Sequence, residues 1–222
     1  MQAYHIYLIR HGLTQANIEG KYIGETDLDL CEEGVEEILD LKARFSYPAV
    51  GRVYTSPLRR SIQTARLLYP EMTPLTVDSL REYTFGAFEN KTPEELKELP
   101  SYRSWIDSTQ KTVPDGAEDP NAFGARVVEG LDRVIRDMMK DHIGDAAVIT
   151  HAGVITAILT ACGIPKRPLL EWKVESGKGY TLSVSAGLWA NEHLVEVFTP
   201  VPYGTGTDEV MLEYQRLFPE EE

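Results

Sequence analysis

Short apolar runs alternate with amphipathic segments of helix length along most of this chain. The runs are rich in β-branched and aromatic residues, which is typical of buried strands, whereas the longer segments carry apolar residues at helical spacing. This pattern predicts strands at residues 4–9, 52–55 and 146–150, and helices at residues 32–45, 57–69, 121–139 and 154–162. Strands that alternate with helices favour an α/β fold: a three-layer sandwich in which a mainly parallel central sheet has helices on both faces.

The middle of the chain has a different composition, which indicates an insertion. Residues 85–120 are rich in Pro, Lys, Glu and Asp, with a helical stretch at 93–99. We interpret them as an insertion or lid within a single domain of residues 1–222, a length that suits one core. Further on, "YTLSVSAGLWANEHLVEV" predicts a hairpin that ends the sheet and turns at about residues 189–192, and residues 208–218 predict a closing helix.

The charge balance limits the partners of the protein. The net charge is -13, with a sequence pI near 4.9. A chain this acidic is not expected to bind nucleic acid or an anionic membrane, because both need a dominant basic face. An anionic substrate would have to meet a local cluster of positive side chains. No pattern in the sequence separates a dimer face from a solvent face, so the oligomeric state stays open.

Cysteine usage and the lack of a membrane signal indicate where the protein works. Cys31 and Cys162 form neither a disulfide framework nor a metal-spaced set, which is typical of a reducing compartment. No apolar run reaches the ~20 residues that span a bilayer, and the opening residues show no signal-peptide pattern. We therefore expect a cytoplasmic protein.

Polar and potentially cationic residues follow three of the predicted strands. In open α/β sheets, binding sites form at the carboxyl ends of the strands, so we expect these residues to lie together. The three strand ends are Arg10-His11-Gly12, Ser56-Pro57 with Arg59 and Arg60, and Thr150-His151-Gly153.

Histidines beside arginines suit a phosphate better than a metal. A guanidinium cannot coordinate a cation and repels it, but its planar fork matches phosphate oxygens. An imidazole can attack phosphorus and form a covalent phosphoryl intermediate. Such a nucleophile must be neutral, so another group has to hold its second ring nitrogen. These residues predict a phosphate site with no metal or other cofactor.

Four segments of the chain carry a family resemblance. "LIRHGLTQAN", "YTSPLRRSIQTA", "LREYTFGAFEN" and "VITHAGVI" occur in the order and approximate spacing of the histidine phosphatase superfamily, whose members include phosphoglycerate mutase-like proteins. The resemblance covers residues 4 to 160. It implies that His11 is the nucleophile and that Glu82 is the general acid and base. It also implies that the transferred phosphoryl group contacts Arg10, Arg60 and His151. The position in the family pattern is that of Arg60 rather than Arg59. Asn17 and Thr14 lie on the phosphate side.

Departures from the mutase pattern favour a phosphatase. Where the mutases carry an arginine directly after the acid, a tyrosine three residues after it and an Arg-Arg pair in a longer insertion, this chain has Tyr83, Phe85 and a single Arg103. The chain looks more like the alpha-ribazole phosphatase and broad-specificity phosphatase branch. That branch often has Pro-Gly-Gly-Glu-Ser where this chain reads "PDGAED", which leaves the role of Glu118 open.

The predicted function is therefore hydrolysis of a small phosphorylated metabolite without a metal. Three alternatives remain: a mutase-type phosphotransferase, a catalytically silent phosphate-binding module, and a metallohydrolase that uses His11, His151 and Glu82. The arginines count against the last of these. Aromatic residues 85, 88, 102 and 105 could form walls of the pocket or simply pack together.

Overall fold

A computed structural model describes residues 3–107, 112–172 and 174–204 of the chain. The closing helix predicted at 208–218 lies outside these residues. Within them, one seven-stranded sheet has the order β3-β2-β4-β1-β6-β7-β5. The strands are β1 (Ala3–Arg10), β2 (Arg52–Thr55), β3 (Leu75–Thr76), β4 (Asp145–Thr150), β5 (Gly163–Ile164), β6 (Gly179–Ser185) and β7 (Val195–Val201).

The sheet is mainly parallel, as predicted. Strands β1 to β4 run parallel to one another, and β5 is parallel to β7. Strand β6 is antiparallel to both of its neighbours, β1 and β7. The helices of the described residues are α1 (Gln15–Ile18), α2 (Glu32–Arg44), α3 (Arg59–Leu68), α4 (Pro93–Leu96), α5 (Pro100–Ile106), α6 (Pro120–Lys140), α7 (Ala152–Cys162) and α8 (Ala186–Glu192), with short 3₁₀ turns at Asp78–Leu80, Gly86–Phe88 and Leu169–Glu171.

Helices cover both faces of the sheet, which confirms the three-layer α/β prediction. Successive side chains of a strand point to opposite faces. On one face, Ile6 and Leu8 of β1 belong to the apolar core that includes residues of α6 and α7. On the other face, Tyr7 and Ile9 of the same strand belong to a second core that includes residues of α2 and α3. Residues 6–9 of β1 therefore form a continuous apolar run because both faces of the strand are covered there.

The two strands of the predicted hairpin pair as expected, but its turn at 189–192 and its place at the end of the sheet are wrong. Strands β6 and β7 are antiparallel neighbours, but helix α8 joins them, and the edge of the sheet is β5. The hydroxyl of Ser185 caps this helix by accepting from the N–H of Leu188. Trp189 is buried in the larger core, and its indole N–H donates to Asp132 of α6. A helix places this tryptophan against α6, which a tight turn would not do.

Most predicted helix bounds shift by one to three residues, and two of these shifts have a clear cause. The helix predicted at 57–69 begins at Arg59, because Leu58 keeps an extended backbone and donates its N–H to the hydroxyl of Ser56. The helix predicted at 93–99 ends at Leu96, and a new helix begins at Pro100. A residue before proline avoids helical geometry, which explains the break at Leu99.

Residues of the proposed insertion form a third apolar cluster. Phe88, Leu96 and Tyr102 are buried in it, with Tyr22, Phe85 and Trp105 packed around them. Phe88 and Tyr102 therefore serve packing, whereas Phe85 and Trp105 keep part of their surface exposed.

Among the described residues, no helix has the length and apolar character that crossing a bilayer requires.

Candidate active site

The register of the central strands brings the two motif histidines side by side. Strands β1 and β4 are parallel neighbours in which Arg10 pairs with Thr150, so His11 and His151 leave the sheet at the same level. Their ring centroids lie 5.0 Å apart, close to the spacing of adjacent strands. The backbone N–H of His11 donates to the carbonyl of Thr150 at 2.9 Å and extends the ladder to the first histidine.

The ring of His11 is fixed in one tautomer. Its Nδ1 lies 2.6 Å from the carbonyl oxygen of Gly12, which can only accept, so Nδ1 carries the proton. Its Nε2 faces the Nε–H of Arg60 at 3.3 Å and is therefore the unprotonated nitrogen. Burial, followed by the charges of Arg60 and Arg10, lowers the pKa of His11 well below its ordinary value. The buried ring is neutral near pH 7, and its free lone pair is on Nε2.

Arg60 is held in place by a loop from near the start of the chain. Its Nη1 donates to the carbonyl of Thr26 and its Nη2 to that of Gly24, each at 2.8 Å. A Cβ at position 24 would lie 1.8 Å from the carbonyl oxygen of Tyr83, so this close approach requires glycine. Arg60 is only 1% exposed, whereas the adjacent Arg59 is exposed and pairs with aspartates. The structure thus distinguishes the buried Arg60 from the exposed Arg59.

Two buried nitrogen atoms beside His11 have no partner among the described residues. Arg10 donates through Nη1 to the carbonyl of Val174 at 2.8 Å, but its buried Nε has no partner. His151 contacts the hydroxyl of Ser56 through Nε2 at 2.7 Å, while its buried Nδ1 has none. Burial, and then the positive groups around it, lowers the pKa of His151. Buried polar groups usually have partners, so these two atoms are candidates for contact with a ligand.

Glu82 lies at the N-terminal end of helix α7. Its Oε1 accepts the N–H of Tyr83 at 2.9 Å, and its Oε2 accepts the N–H of Gly153, the second residue of that helix, at 3.0 Å. Burial raises the pKa of Glu82, although these two hydrogen bonds and the charges of Arg60 and Arg10 act in the opposite direction. The carboxyl group therefore stays protonated to a higher pH than a free one, as a proton donor must.

Thr14 and Asn17 cap each other at helix α1. The Oδ1 of Asn17 accepts from the N–H of Thr14 at 3.1 Å and from its hydroxyl at 3.0 Å. The Thr14 oxygen in turn receives the N–H of Asn17 at 3.3 Å. This pairing orients the Asn17 amide and leaves its Nδ2 as the group that could donate to a ligand. Phosphate contacts by both residues stay predictions.

Glu89 supports the loop that holds Arg60, and the sequence analysis did not identify it. One carboxylate oxygen accepts the N–H groups of Gly24, at 2.9 Å, and Phe85, at 3.1 Å, and the other accepts the hydroxyl of Thr26 at 2.7 Å. Glu89 lies in one of the four quoted motif segments. In a chain with 35 acidic residues, however, a single glutamate resembles an ordinary surface charge.

Ser56 and Thr64 also hold parts of the site. Ser56, at the end of β2, contacts His151 as described above. Thr64 accepts the N–H of Gly12 at 2.9 Å and donates to the carbonyl of Arg60 at 2.7 Å. Thr64 follows Arg60 by one helical turn, which is the signal by which the sequence could have identified it.

The positions that separate phosphatases from mutases carry no free charge here. Tyr83 and Phe85 contact each other edge to face, with ring centroids 5.2 Å apart. The exposed Arg103 donates to the carbonyl of Lys97 at 2.8 Å and pairs with Glu98. At the three positions where a mutase of this family would hold its substrate, this chain therefore has two aromatic rings and an arginine that is paired on the surface.

No cluster of metal ligands occurs in the described residues, where three or more His, Cys, Asp or Glu side chains nowhere gather as a cation would require. The side chains that contact the ring nitrogens of the two histidines are the guanidinium of Arg60 and the hydroxyl of Ser56. This donor set suits an anion, because a cation would be repelled by the arginines.

A mainly parallel sheet thus presents His11, His151 and Arg10 at its strand ends, with Arg60 in the first turn of α3, and this cluster suits a protein class that binds phosphate groups. The family model of the histidine phosphatase superfamily (branch 1) matches residues 6–196, and the chain belongs to that superfamily. This confirms the resemblance inferred from the four motif segments.

Similar proteins include phosphatases, and a mutase has the same fold. The adenosylcobalamin/alpha-ribazole phosphatase of Escherichia coli (strain K12) is 28% identical over 78% of this chain and 86% of its own length. The metal-independent phosphoserine phosphatase of Arabidopsis thaliana is 29% identical over 69% of this chain and 66% of its own. The crystal structure of phosphoglycerate mutase from Bacillus anthracis str. Sterne has a TM-score of 0.68, at 23% identity over 88% of this chain and 92% of its own, and shares the fold.

Proposed function

We propose that this protein is a metal-independent phosphatase that hydrolyses a small phosphomonoester through a phosphohistidine on His11. The observation that carries the proposal is the fixed tautomer of His11, whose unprotonated Nε2 lies beside the Arg60 guanidinium. Membership of the superfamily and similarity to proteins named as phosphatases support phosphatase activity at the level of class.

In the first step, Nε2 of His11 attacks phosphorus, and the bond from phosphorus to the leaving oxygen breaks. Protonated Glu82 gives its proton to that oxygen, so the alcohol leaves neutral. The guanidinium groups of Arg10 and Arg60, with Nδ1 of His151, stabilise the charge on the phosphoryl oxygens. Asn17 and Thr14 add donors on the phosphate side. Burial favours the form that each group needs at the start of this step, because it lowers the pKa of His11 and raises that of Glu82.

In the second step, water attacks the phosphorus of the phosphohistidine. Glu82, now a carboxylate, takes a proton from the water, and the bond from phosphorus to Nε2 breaks. Inorganic phosphate leaves, and His11 and Glu82 return to their starting forms. One water is consumed for each ester, and no oxidant, reductant or cofactor enters the balance.

Water is favoured over a second alcohol as the acceptor. A mutase must bind the rest of its substrate firmly enough to return the phosphoryl group to it. The positions at which the family's mutases do so carry Tyr83, Phe85 and the surface-paired Arg103 here. These residues offer no free cation for a substrate carboxylate.

The proposal is tested by phosphate release from a generic aryl phosphate, measured with excess chelator for the wild type and the His11→Ala variant. We expect release that survives chelation and needs His11. Release by His11→Ala at the wild-type rate would contradict the phosphohistidine step, and loss of release on chelation would favour a metallohydrolase. Ligand-dependent stabilisation without turnover would indicate a silent binding module.

We also retain three broader proposals. The first is a single domain of residues 1–222 with an insertion at about 85–120, supported by the third apolar cluster. The second is a cytoplasmic location, supported by two cysteines that are both free. The third is a small phosphorylated metabolite as the partner rather than nucleic acid or a membrane, supported by the strongly acidic charge balance.

A further inference from the structure

Every N–H donor of the Arg126 side chain, on helix α6, takes part in a hydrogen bond close to Glu82, the proposed acid. Its Nε and Nη2 donate to the two carboxylate oxygens of Glu118 at 2.8 and 2.6 Å. Its Nη1 donates to the carbonyls of Ser79 and Arg81 at 2.9 and 2.8 Å, and Nη2 reaches the carbonyl of Glu82 at 3.4 Å. The side chain is 14% exposed, which is unusual for a helix-surface arginine.

These contacts fix the backbone that carries Glu82. Residues 81 and 82 belong to no helix or strand, so no regular hydrogen-bond ladder holds them. Arg126 ties this segment to a long helix, and the hydroxyl of Thr150 donates to the carbonyl of Leu80 at 2.7 Å. On the far side of the acid, the N–H of Glu118 donates to the carbonyl of Thr84 at 3.1 Å. Arg126 and Glu118 thus hold both sides of the segment that carries Glu82.

The ion pair of Arg126 and Glu118 supplies these backbone-binding donors without a net charge. An unpaired arginine this close to Glu82 would favour the ionised carboxylate and so oppose the release of a proton in the first step. The bidentate partner, Glu118, neutralises the guanidinium, and both side chains are largely shielded from water. The pair can therefore hold three backbone carbonyls and place little net charge beside the acid.

We propose that Arg126, held by Glu118, is a positioning residue that aims Glu82 at the leaving oxygen. This inference rests on the proposed function, because it assigns Arg126 to the proton transfer and leaves phosphate binding to other residues. Catalytic groups lose much of their effect when they move by about 1 Å, so a loosened Glu82 should protonate the leaving oxygen poorly. Esters that leave readily without a proton should be hardly affected.

The test compares Arg126→Met with Arg133→Met on a nitrophenyl phosphate and on an alkyl phosphate. Arg133 lies on the same helix, seven residues further on, and is exposed. For Arg126→Met we expect kcat/KM to fall by roughly 30-fold with the alkyl ester and by less than about 3-fold with the nitrophenyl ester. Arg133→Met should match the wild type with both.

A double-mutant cycle with Glu82→Gln shows whether Arg126 acts through the acid. If it does, Arg126→Met adds no further loss with the alkyl ester once Glu82 is replaced. Losses that multiply would indicate a general structural effect and overturn the inference. A loss in Arg126→Met that is equal for both esters would overturn it too, while leaving the proposed acid intact.

The two proposals fail in different ways. If Glu82→Gln itself lost the same factor with both esters, the acid role and this inference would fall together. If Glu82→Gln discriminated between the esters and Arg126→Met did not, only this inference would fall. Should Arg126→Met not fold, Glu118→Gln carries the same test, with a smaller loss expected in the same direction and equal losses counting against the inference.

Discussion

The site has two halves that are fixed by different kinds of structure. His11 and His151 follow adjacent parallel strands, and the strand register alone sets them side by side. Glu82 lies in an irregular segment and is fixed by the N–H of the adjacent Tyr83 and by two distant residues, Gly153 and Arg126. The nucleophile half therefore depends on the rigidity of the sheet, and the acid half depends on a small number of individual contacts.

Burial acts on both halves in the same way, with opposite consequences for charge. It disfavours the charged form of every titratable group, so it lowers the pKa of His11 and raises that of Glu82. Both shifts favour the neutral forms, a free imidazole and a protonated carboxyl group, which are the forms that the proposed first step requires. Only the arginines keep their charge, because a guanidinium does not give up its proton in proteins.

The largest expected effect lies at the centre of the nucleophile half. His11→Ala removes the attacking nitrogen, so we expect kcat to fall by at least about 10⁴-fold for any ester. The matched control is His5→Ala, on the same strand but six residues before the site and paired with Asp145. Phosphate release by both purified variants checks this. A His11→Ala rate close to that of His5→Ala would mean that another group attacks phosphorus.

Adjacent arginines allow the next comparison. Arg60→Met removes the buried guanidinium that contacts His11, and we expect kcat/KM to fall by about 10²- to 10³-fold regardless of the leaving group. Arg59→Met changes an exposed neighbour and should stay within about threefold of the wild type. Steady-state kinetics on both esters is the measurement. If the Arg60→Met loss depended on the leaving group, the separation of the site into two halves would not hold.

This difference between the halves also explains what the sequence could predict. His11 and His151 were predictable because each follows an apolar run, and parallel strands must end at the same edge of the sheet. Arg60 was assigned over Arg59 by resemblance, and burial later separated the two. Arg126, Glu118 and Glu89 are bound to backbone groups 34 to 65 residues away, and no local pattern encodes such contacts.

The fold shows the same division. The alternation of strands and helices predicted the sandwich, and the bounds of β2 agree with the predicted residues 52–55. The predicted connection between β6 and β7 was wrong, because helix α8 includes a tertiary contact, that of Trp189 with α6, which the local sequence does not reveal. Local periodicity records which face of an element is buried but not which distant residue it meets.

Replacing the acid should affect the two kinds of ester differently. Glu82→Gln keeps the shape of the side chain but cannot release a proton, so we expect a loss of about 10²-fold with an alkyl phosphate and of less than tenfold with a nitrophenyl phosphate. A plot of rate against the pKa of the leaving alcohol should become steeper in the variant. An unchanged slope would remove Glu82 from the role of acid.

The pH dependence of the wild type should have one limb from each half. His11 must be unprotonated, so the rate rises with pH through a pKa below the ordinary histidine value. Glu82 must be protonated, so with poor leaving groups kcat/KM should fall by about tenfold per pH unit above its raised pKa. This alkaline limb should disappear in Glu82→Gln. If it persisted there unchanged, another group would be responsible for it.

The smallest expected effect comes from one methyl group placed against the acid. A Cβ at position 153 would lie 2.3 Å from Oε1 of Glu82, so Gly153→Ala must displace the carboxyl group. We expect a loss of about tenfold with the alkyl ester and a nearly unchanged rate with the nitrophenyl ester. Gly187→Ala is the matched control, since Gly187 is also the second residue of a helix and has open space around it.

Gly153→Ala separates the two halves most sharply, because Gly153 also lies two residues after His151. If the nucleophile half were as sensitive as the acid half, the added methyl group would shift His151 as well, and both esters would react more slowly by the same factor. A loss confined to the alkyl ester would mean that the sheet keeps the histidines in place while Glu82 moves. Thermal unfolding of both alanine variants would verify that each rate refers to folded enzyme.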